Sequence, residues 1–142
     1  MLRLSRSALV LLLAAVTAAC GGGNNDTPTA PSANVPFQTV DITVGTGAEA
    51  TVGRQATVAY AGWLYDASAA QNKGRQFDSS VFTFTIGTGV IQGFSRGVTG
   101  MRVGGQRRVV IPPDLGYGAA GAPPSIPPNA TLVFDIELRA IQ

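Results

Sequence analysis

The chain has 142 residues, no histidine, one cysteine and 13% charged side chains. Without histidine, Ser-His-Asp and Cys-His catalysis are excluded, as are zinc or haem sites that need an imidazole ligand. The length fits a single domain. Because 18 residues are glycine and nine are proline, the composition predicts a turn-rich β or α+β domain.

The first 19 residues have the pattern of a signal peptide. Arg3 and Arg6 precede an apolar stretch at 8–19, which is shorter than the roughly 20 residues that a membrane-spanning helix needs. A buried core helix and a conventionally cleaved secretory signal are the alternatives. The position of the only cysteine argues against both, because Val-Thr-Ala-Ala-Cys at 16–20 resembles a bacterial lipobox. This resemblance implies that Cys20 is the lipidated first residue of a mature lipoprotein.

Removal of residues 1–19 would also remove the excess positive charge. The formal net charge is +2, and Arg3 and Arg6 account for it. The only adjacent basic pair, Arg107 and Arg108, is expected to point to opposite faces of a strand and to be solvated. No nucleic-acid partner is therefore expected.

Residues 20–36 are predicted to be the lipidated cysteine and a flexible tether. Gly, Asn, Thr, Pro, Ser and Ala dominate this segment, and Asp26 is its single charge. The folded domain is expected at 37–142. The protein would then be anchored in the bacterial cell envelope, facing the periplasm. Gly21 after the cysteine slightly favours the outer membrane, by resemblance to enterobacterial sorting.

Short alternating runs predict strands in the domain. In chain order the strand candidates lie at 39–44, 57–60, 82–86, 106–111 and 132–138, and all but the fourth, which ends at a pair of prolines, alternate. Between the third and fourth runs, Val90, Ile91, Phe94 and Val98 have the spacing of a short helix, which Gly100 would end. The fold class expected is α+β, an antiparallel sheet packed on one helix.

Several candidate chemistries are weakly supported by the sequence. Gly87, Gly89 and Gly93 have the spacing G-x-G-x-x-x-G rather than a dinucleotide fingerprint. Asp135 and Glu137 share one strand face, opposite Phe134, Ile136 and Leu138, so they are expected to be solvated rather than a glycosidase pair. The serines have no histidine to activate them as nucleophiles, and Lys73 is expected in a polar loop. The serines in question are Ser68, Ser79, Ser80, Ser95 and Ser125.

Aromatic residues instead come from separate elements and stand beside glycine-rich or polar turns. Either they form an ordinary core, or together with Asp78 and the proline-rich segment at 121–129 they line an apolar pocket. The aromatic residues are Tyr60, Phe77, Phe82, Phe94, Tyr117 and Phe134.

At these positions the sequence resembles the FKBP-type peptidyl-prolyl cis-trans isomerases. Collinear blocks carry the resemblance: Tyr-Ala-Gly-Trp-Leu at 60–64, Gln-Phe-Asp-Ser-Ser at 76–80, Val-Ile-Gln-Gly-Phe at 90–94, Gly-Val at 97–98, Met-Arg-Val-Gly-Gly-Gln-Arg-Arg-Val at 101–109, Ile-Pro-Pro-Asp-Leu-Gly-Tyr-Gly at 111–118, and Ile-Pro-Pro-Asn-Ala-Thr-Leu-Val-Phe-Asp-Ile-Glu-Leu at 126–138.

The resemblance implies a twisted antiparallel sheet wrapped around a short helix, with a substrate pocket between them. It gives catalytic roles to Asp78, Tyr117, Phe77 and Phe134. It gives substrate-binding roles to Tyr60, Phe82, Val90, Ile91, Phe94 and Ile126. No cofactor and no metal ion is expected.

The sequence departs from the common family pattern near the pocket. Phe94 stands where tryptophan is usual, and Ala122 where histidine is frequent. The segment between Ser80 and Phe82 is shorter and lacks the basic residue that pairs with the pocket aspartate, and the loop at 87–90 is one residue short. Residues 66–75 include an insertion near the pocket rim.

The function predicted is rotation of Xaa-Pro bonds in folding envelope proteins, by a monomer. The expected partners are unfolded or flexible proline-containing polypeptides, with macrolides such as rapamycin as inhibitors. The alternative is a non-catalytic FKBP-like binding or chaperone module.

Overall fold

The computed structural model describes residues 35–142. The predicted signal peptide, Cys20 and nearly all of the tether lie outside these residues. In the described part, no helix is both long and apolar enough to cross a membrane.

Within residues 35–142, five antiparallel strands form one sheet, and one short α-helix packs against it. The elements are β1 (Gln38–Thr43), β2 (Gln55–Tyr65), β3 (Lys73–Thr85), α1 (Gln92–Val98), β4 (Gln106–Ile111) and β5 (Leu132–Ile141), with 3-10 turns at Ala70–Asn72 and Pro113–Leu115. The strand order is β1-β4-β5-β2-β3. The predicted α+β class, a sheet with one short helix, is confirmed.

The central strand β5 explains where the core lies. Leu132, Phe134, Ile136 and Leu138 alternate along it and are all at most 4% exposed. Side chains at alternate strand positions share a face, so these four form one apolar surface. Each such burial contributes about 1.5–3 kcal/mol relative to exposure. The α1 residue Phe94 packs on this surface, with its ring centroid 5.3 Å from that of Phe134.

Two glycines let α1 approach β4 closely. A Cβ atom at Gly93 would lie 2.4 Å from Ile111 Cγ2, and one at Gly97 would lie 2.6 Å from Val109 Cγ2. Gly100 follows the helix with a φ of 84°, a left-handed conformation that glycine adopts without a steric penalty. The predicted end of the helix therefore agrees with the structure.

Strands β2 and β3 are longer than the alternating runs predicted. Their added length forms a hairpin over residues 66–72, so Lys73 is the first residue of β3 and does not lie in a loop. The expectation for Lys73 was wrong because the polar residues at 73–76 give no apolar alternation, although their backbone pairs with β2.

The face of the sheet opposite α1 carries a cluster of charged side chains that the sequence analysis expected to be solvated. Arg108 donates from Nε and Nη2 to the Asp135 carboxylate at 2.7 and 2.9 Å. Lys73 Nζ donates to Asp135 Oδ2 at 2.6 Å and lies 4.1 Å from the centroid of the Trp63 ring. Only 13% of the Asp135 side chain is exposed, which corrects the expectation for this residue.

The electrostatics of Asp135 follow from these contacts. Burial alone would raise the pKa of its carboxyl, but hydrogen bonds from Arg108 and Lys73 outweigh burial and lower the pKa below its usual value. Glu137, two residues further, is half exposed, as the sequence predicted, and it lies near Arg139.

Arg107 also differs from its prediction. It lies on the opposite face from Arg108 but is only 15% exposed, with Nε 2.6 Å from Asp41 Oδ1. Its Nη1 donates to the carbonyl oxygens of Gly97 and Thr99 at 3.0 and 3.2 Å. A cation at the carboxyl end of a helix is favourable, so Arg107 joins β1 to the end of α1.

Candidate active site

A cavity of about 220 Å³ opens between the sheet, α1 and two loops. Its lining residues come from β2, β3, β5, α1, the loop before α1 and the turn after Pro113–Leu115: Tyr60, Phe77, Asp78, Phe82, Gly89, Val90, Ile91, Phe94, Tyr117 and Phe134. Nine of the ten residues that the sequence analysis assigned to a pocket therefore lie around one cavity.

Ile126 is the one residue assigned to the pocket from the sequence that does not line this cavity. It is 3% exposed and packs in the hydrophobic core. Its backbone pairs with Ala122 through two hydrogen bonds of 2.9 Å, which close a small hairpin in the proline-rich segment at 121–129. Ile126 thus anchors this segment, which we call the flap, and is not among the residues that line the cavity.

Phe94 forms the floor of the cavity. It is 3% exposed, and its ring centroid lies 5.3 to 5.8 Å from those of four other aromatic rings: Phe134, Tyr60, Phe84 and Phe82. Edge-to-face pairs in this distance range add about 0.5–1.5 kcal/mol each beyond burial. The Phe94 ring, which is smaller than the tryptophan usual at this position in the family, is therefore held rigidly.

Phe77 and Phe134 form one wall. Their ring centroids are 5.6 Å apart and their planes are nearly perpendicular, at 88°. Gly62 on β2 makes this packing possible, because a Cβ atom there would lie 2.7 Å from Phe77 Cζ and 2.8 Å from Phe134 Cε1. The sequence analysis did not single out Gly62, although it lies within the first of the matching motifs.

The polar groups of the cavity are few. The Tyr60 hydroxyl donates a hydrogen bond to Asp78 Oδ2. Burial, followed by this bond to the carboxylate, raises the pKa of the Tyr60 phenol well above its usual value, so Tyr60 remains a donor at neutral pH.

Asp78 has no arginine or lysine ion-pair partner within residues 35–142. This agrees with the loss of a basic residue noted in the sequence. Tyr60 is therefore the group that orients the carboxylate.

Two further polar groups are available at the cavity. Tyr117 is 40% exposed, and no hydrogen bond from its hydroxyl is formed to any residue of the described chain. The backbone N–H of Ile91 likewise has no partner there. Both groups can donate to a bound molecule.

The shortened loop before α1 is held by a serine. Gly87 N–H donates to Ser95 Oγ at 2.6 Å, and Ser95 is 7% exposed. The sequence shows Ser95 only as a serine without an activating histidine, but in the structure its hydroxyl fixes the loop that brings Gly89, Val90 and Ile91 to the cavity. Gly89, with a φ of 77°, was missed as a lining residue because its motif suggested only nucleotide binding.

The insertion at 66–75 reaches the flap rather than the cavity. Arg75 Nη2 donates to the carbonyl oxygen of Ser125 at 2.7 Å. The insertion therefore connects the start of β3 to the tip of the flap.

The arrangement contains no acid–base pair and no activated nucleophile. Within residues 35–142, no three His, Cys, Asp or Glu side chains are close enough to hold a metal ion. The cavity can desolvate an apolar group and offer it a few fixed polar contacts.

Comparison with known proteins gives the family of the chain. The sequence model of FKBP-type peptidyl-prolyl cis-trans isomerases matches residues 47–139. The chain is 47% identical over 105 residues to FK506-binding protein 1 of Gibberella zeae, covering 70% of this chain and 93% of that protein. It is 45% identical over 107 residues to the FK506-binding protein of Neisseria meningitidis serogroup B, covering 71% and 92%.

Other relatives are longer. FK506-binding protein 4 of Dictyostelium discoideum is 48% identical over 117 residues, which make up 78% of this chain but only 30% of that protein. A crystal structure of a peptidyl-prolyl cis-trans isomerase from Pseudomonas syringae matches with a TM-score of 0.65 and 35% identity over 75% of each chain. FkpA of Escherichia coli matches with the same TM-score and 34% identity, over 78% of this chain and 50% of that one.

The chain therefore belongs to the FKBP-type peptidyl-prolyl cis-trans isomerase family. The family resemblance read from the motifs is confirmed.

Proposed function

We propose that the protein rotates Xaa-Pro peptide bonds and that the aromatic cavity is its active site. The observation that carries this proposal is one hydrogen-bonded pair, Tyr60 and Asp78, in a cavity that four phenylalanine rings also line. The cavity volume of about 220 Å³ suits one proline residue with its preceding amide.

The chemistry needs neither a nucleophile nor a proton carrier. Rotation of a peptide bond has a barrier of about 18–20 kcal/mol because amide resonance is lost. The twisted amide has less charge separation than the planar form, so removing water favours it relative to the ground state.

Each cavity residue has a role in this proposal. Phe77, Phe134 and Tyr60 surround the proline ring, with Phe94 beneath it and Phe82, Val90 and Ile91 completing the apolar lining. The Tyr117 hydroxyl and the Ile91 N–H hold substrate carbonyl groups. Asp78 faces the carbonyl that rotates.

A peptide isomerisation assay tests the assignment. Asp78→Ala and Phe77→Ala should lower kcat/KM at least tenfold without loss of fold by circular dichroism, because both side chains are partly exposed. Asp114→Ala is the matched control, since Asp114 is an exposed acid outside the cavity. Equal turnover by all three variants would contradict the assignment.

A non-catalytic peptide-binding module is the second candidate. The finding that favours it is that no lysine or arginine of residues 35–142 forms an ion pair with Asp78. The two candidates differ in one outcome. A binding module would bind proline peptides at the cavity with no acceleration of isomerisation.

We propose further that FK506-type macrolides and rapamycin compete for the same cavity. The names of the relatives, which are FK506-binding proteins, support this. Competition between the macrolide and a proline peptide tests it, and simultaneous binding of both would contradict it.

We also propose export and anchoring through Cys20, with action on folding proteins of the cell envelope. The signal-peptide pattern and the lipobox-like sequence at 16–20 support this. Mass spectrometry of the amino terminus should show acyl groups on Cys20, and Cys20→Ser should release the protein from membranes. An unmodified Cys20 in membrane-bound protein would contradict the anchor.

A further inference from the structure

Strand β3 forms one edge of the sheet. It pairs with β2 on one side, and no other element of the described chain pairs with its second side. From Ser79 to Thr85 this edge has no charged residue and no proline, and Val81 is 52% exposed. Natural edge strands are commonly protected by charges, proline or bulges, and this stretch has none of them.

The hydrogen bonds show which backbone groups of β3 are free. Ile86 N–H donates to Arg54 O at 2.9 Å, and Ile86 O accepts from Gly53 N–H at 2.9 Å. The β2–β3 register continues without a shift to Asp78. Because successive residues of a strand direct their N–H and C=O groups to opposite sides, the alternate residues Phe84, Phe82 and Ser80 face β2.

The intervening residues Ser79, Val81 and Thr83 therefore direct their backbone groups away from the sheet. The hydrogen bonds on the other side of β2 fit this alternation. Gln55 of β2 exchanges two backbone hydrogen bonds with Gln142, the residue that follows β5. At Thr85 the outward carbonyl oxygen accepts from Thr88 N–H at 3.1 Å, so the free stretch ends at Thr83. Among the outward backbone groups of Ser79, Val81 and Thr83, the described residues make one hydrogen bond, a long one of 3.4 Å from Ser80 Oγ to Val81 O.

The free edge is continuous with the cavity. Asp78 and Phe82 line the cavity and flank residues 79–81 on the same strand. A polypeptide with its proline in the cavity can reach Thr83 within a few residues, at about 3.3 Å per residue.

We infer that the edge of β3 from Ser79 to Thr83 binds the chain that flanks the substrate proline and adds it to the sheet as a sixth strand. This inference rests on the proposed function and extends its substrate to a segment longer than the Xaa-Pro unit. Main-chain hydrogen bonds provide the affinity in this mode of recognition. Because the exposed side chains at this edge are neutral, the edge accepts flanking sequences of any charge.

Peptide length tests the inference with the unmodified full-length protein in detergent. One short peptide carries a single residue on each side of Xaa-Pro, and two long peptides carry five more residues on one side or the other. For at least one long peptide, kcat/KM should exceed that of the short peptide about tenfold, as expected for two or three added hydrogen bonds.

N-methylation distinguishes backbone pairing from side-chain contact. Two series of the favoured long peptide are methylated at alternate backbone nitrogens. One series should lose the tenfold gain and the other should keep it, since only alternate N–H groups of an added strand face β3. Equal kcat/KM for short and long peptides, or a gain that neither series removes, would overturn the inference.

A pair of variants examines the protein side. Val81→Pro removes an outward N–H at an edge position where proline is tolerated, whereas Val81→Ala keeps it. Val81→Pro should abolish the length effect while short-peptide turnover is unchanged, and Val81→Ala should retain it.

The main alternative occupant of the edge is a second copy of the chain. Concentration-dependent dimerisation in sedimentation experiments that Val81→Pro removes, with no length effect, would assign the edge to that second copy. The same peptide series is also read by fluorescence anisotropy. If the long peptide binds more tightly than the short one but neither is isomerised, the proposed isomerase function is wrong and the inferred binding of flanking chain to the β3 edge is supported.

Discussion

Tyr60 donates its hydroxyl hydrogen bond to Asp78 across the β2–β3 pair, at the wall of the cavity. The two residues lie on neighbouring strands, with Tyr60 opposite Ser80 and Gly62 opposite Asp78. This bond orients the Asp78 carboxylate. The basic residue that usually pairs with this aspartate in the family is missing from the sequence.

Removal of this hydroxyl should weaken catalysis more than stability. Tyr60→Phe keeps the ring contacts with Phe82 and Phe94 and frees the Asp78 carboxylate to rotate. We expect kcat to fall about fivefold to tenfold with a smaller change in KM, measured by peptide isomerisation at neutral pH. An unchanged kcat would show that Tyr60 does not orient Asp78.

The same pair predicts a change of stability at alkaline pH. The pKa of Tyr60 is higher in the folded protein than in the unfolded chain, where it is about 10. Its contribution is therefore complete below pH 10 and is lost as the pH rises through the folded-state value. The free energy of unfolding should fall above pH 10, and less so in Tyr60→Phe; identical slopes would contradict the assignment.

Gly62 should not tolerate a methyl group. Gly62→Ala places a Cβ atom against both Phe77 and Phe134, and overpacking of this kind costs about 1–3 kcal/mol. We expect a lower midpoint of chemical denaturation and reduced peptide affinity. Ala61→Gly at the neighbouring position is the control for a change in strand propensity, and it should leave peptide affinity unchanged.

Arg75 should position the flap. Arg75→Ala removes the hydrogen bond to Ser125 O, so the flap should become more mobile, with faster amide hydrogen exchange at residues 121–129. Arg139→Ala is the matched control because Arg139 is a half-exposed arginine whose ion pair is with Glu137 on the same strand. Equal exchange in both variants would contradict this role.

Asp135 should stabilise the fold from neutral to mildly acidic pH. Its pKa is lower when folded than when unfolded, so its contribution is present above the unfolded value of about 4 and is lost as the pH falls. Asp135→Asn should cost about 1–2 kcal/mol at pH 7, less than a fully buried pair. Chemical denaturation at pH 7 and pH 3 measures this; an equal cost at both would contradict the pKa assignment.

The sequence predicted most of the fold because apolar alternation reports one-sided burial directly. This holds for β5, where each inward residue is apolar. The bounds of β4 also agree residue for residue, although its sequence does not alternate, whereas β1 alternates but is exposed along its whole length. Prediction from apolar alternation fails where a strand is polar, as at Lys73 in β3, because the backbone hydrogen bonds between strands do not depend on side-chain type.

The residues that line the cavity could be predicted from the family resemblance, but the residues that hold the strands and loops around it in position could not. The cluster of Lys73, Arg108 and Asp135 depends on the register of four neighbouring strands. Gly62 acts through close contacts with Phe77 and Phe134, and Ser95 acts through a hydrogen bond from Gly87, eight residues earlier. No sequence pattern identifies such contacts.

Refolding of a substrate protein limited by one Xaa-Pro bond tests the central claim most directly. The wild-type protein should accelerate the slow phase in proportion to its concentration, and Asp78→Ala should reduce this acceleration about tenfold or more. If the wild type binds the substrate protein but leaves the slow phase unchanged, the isomerase account is contradicted.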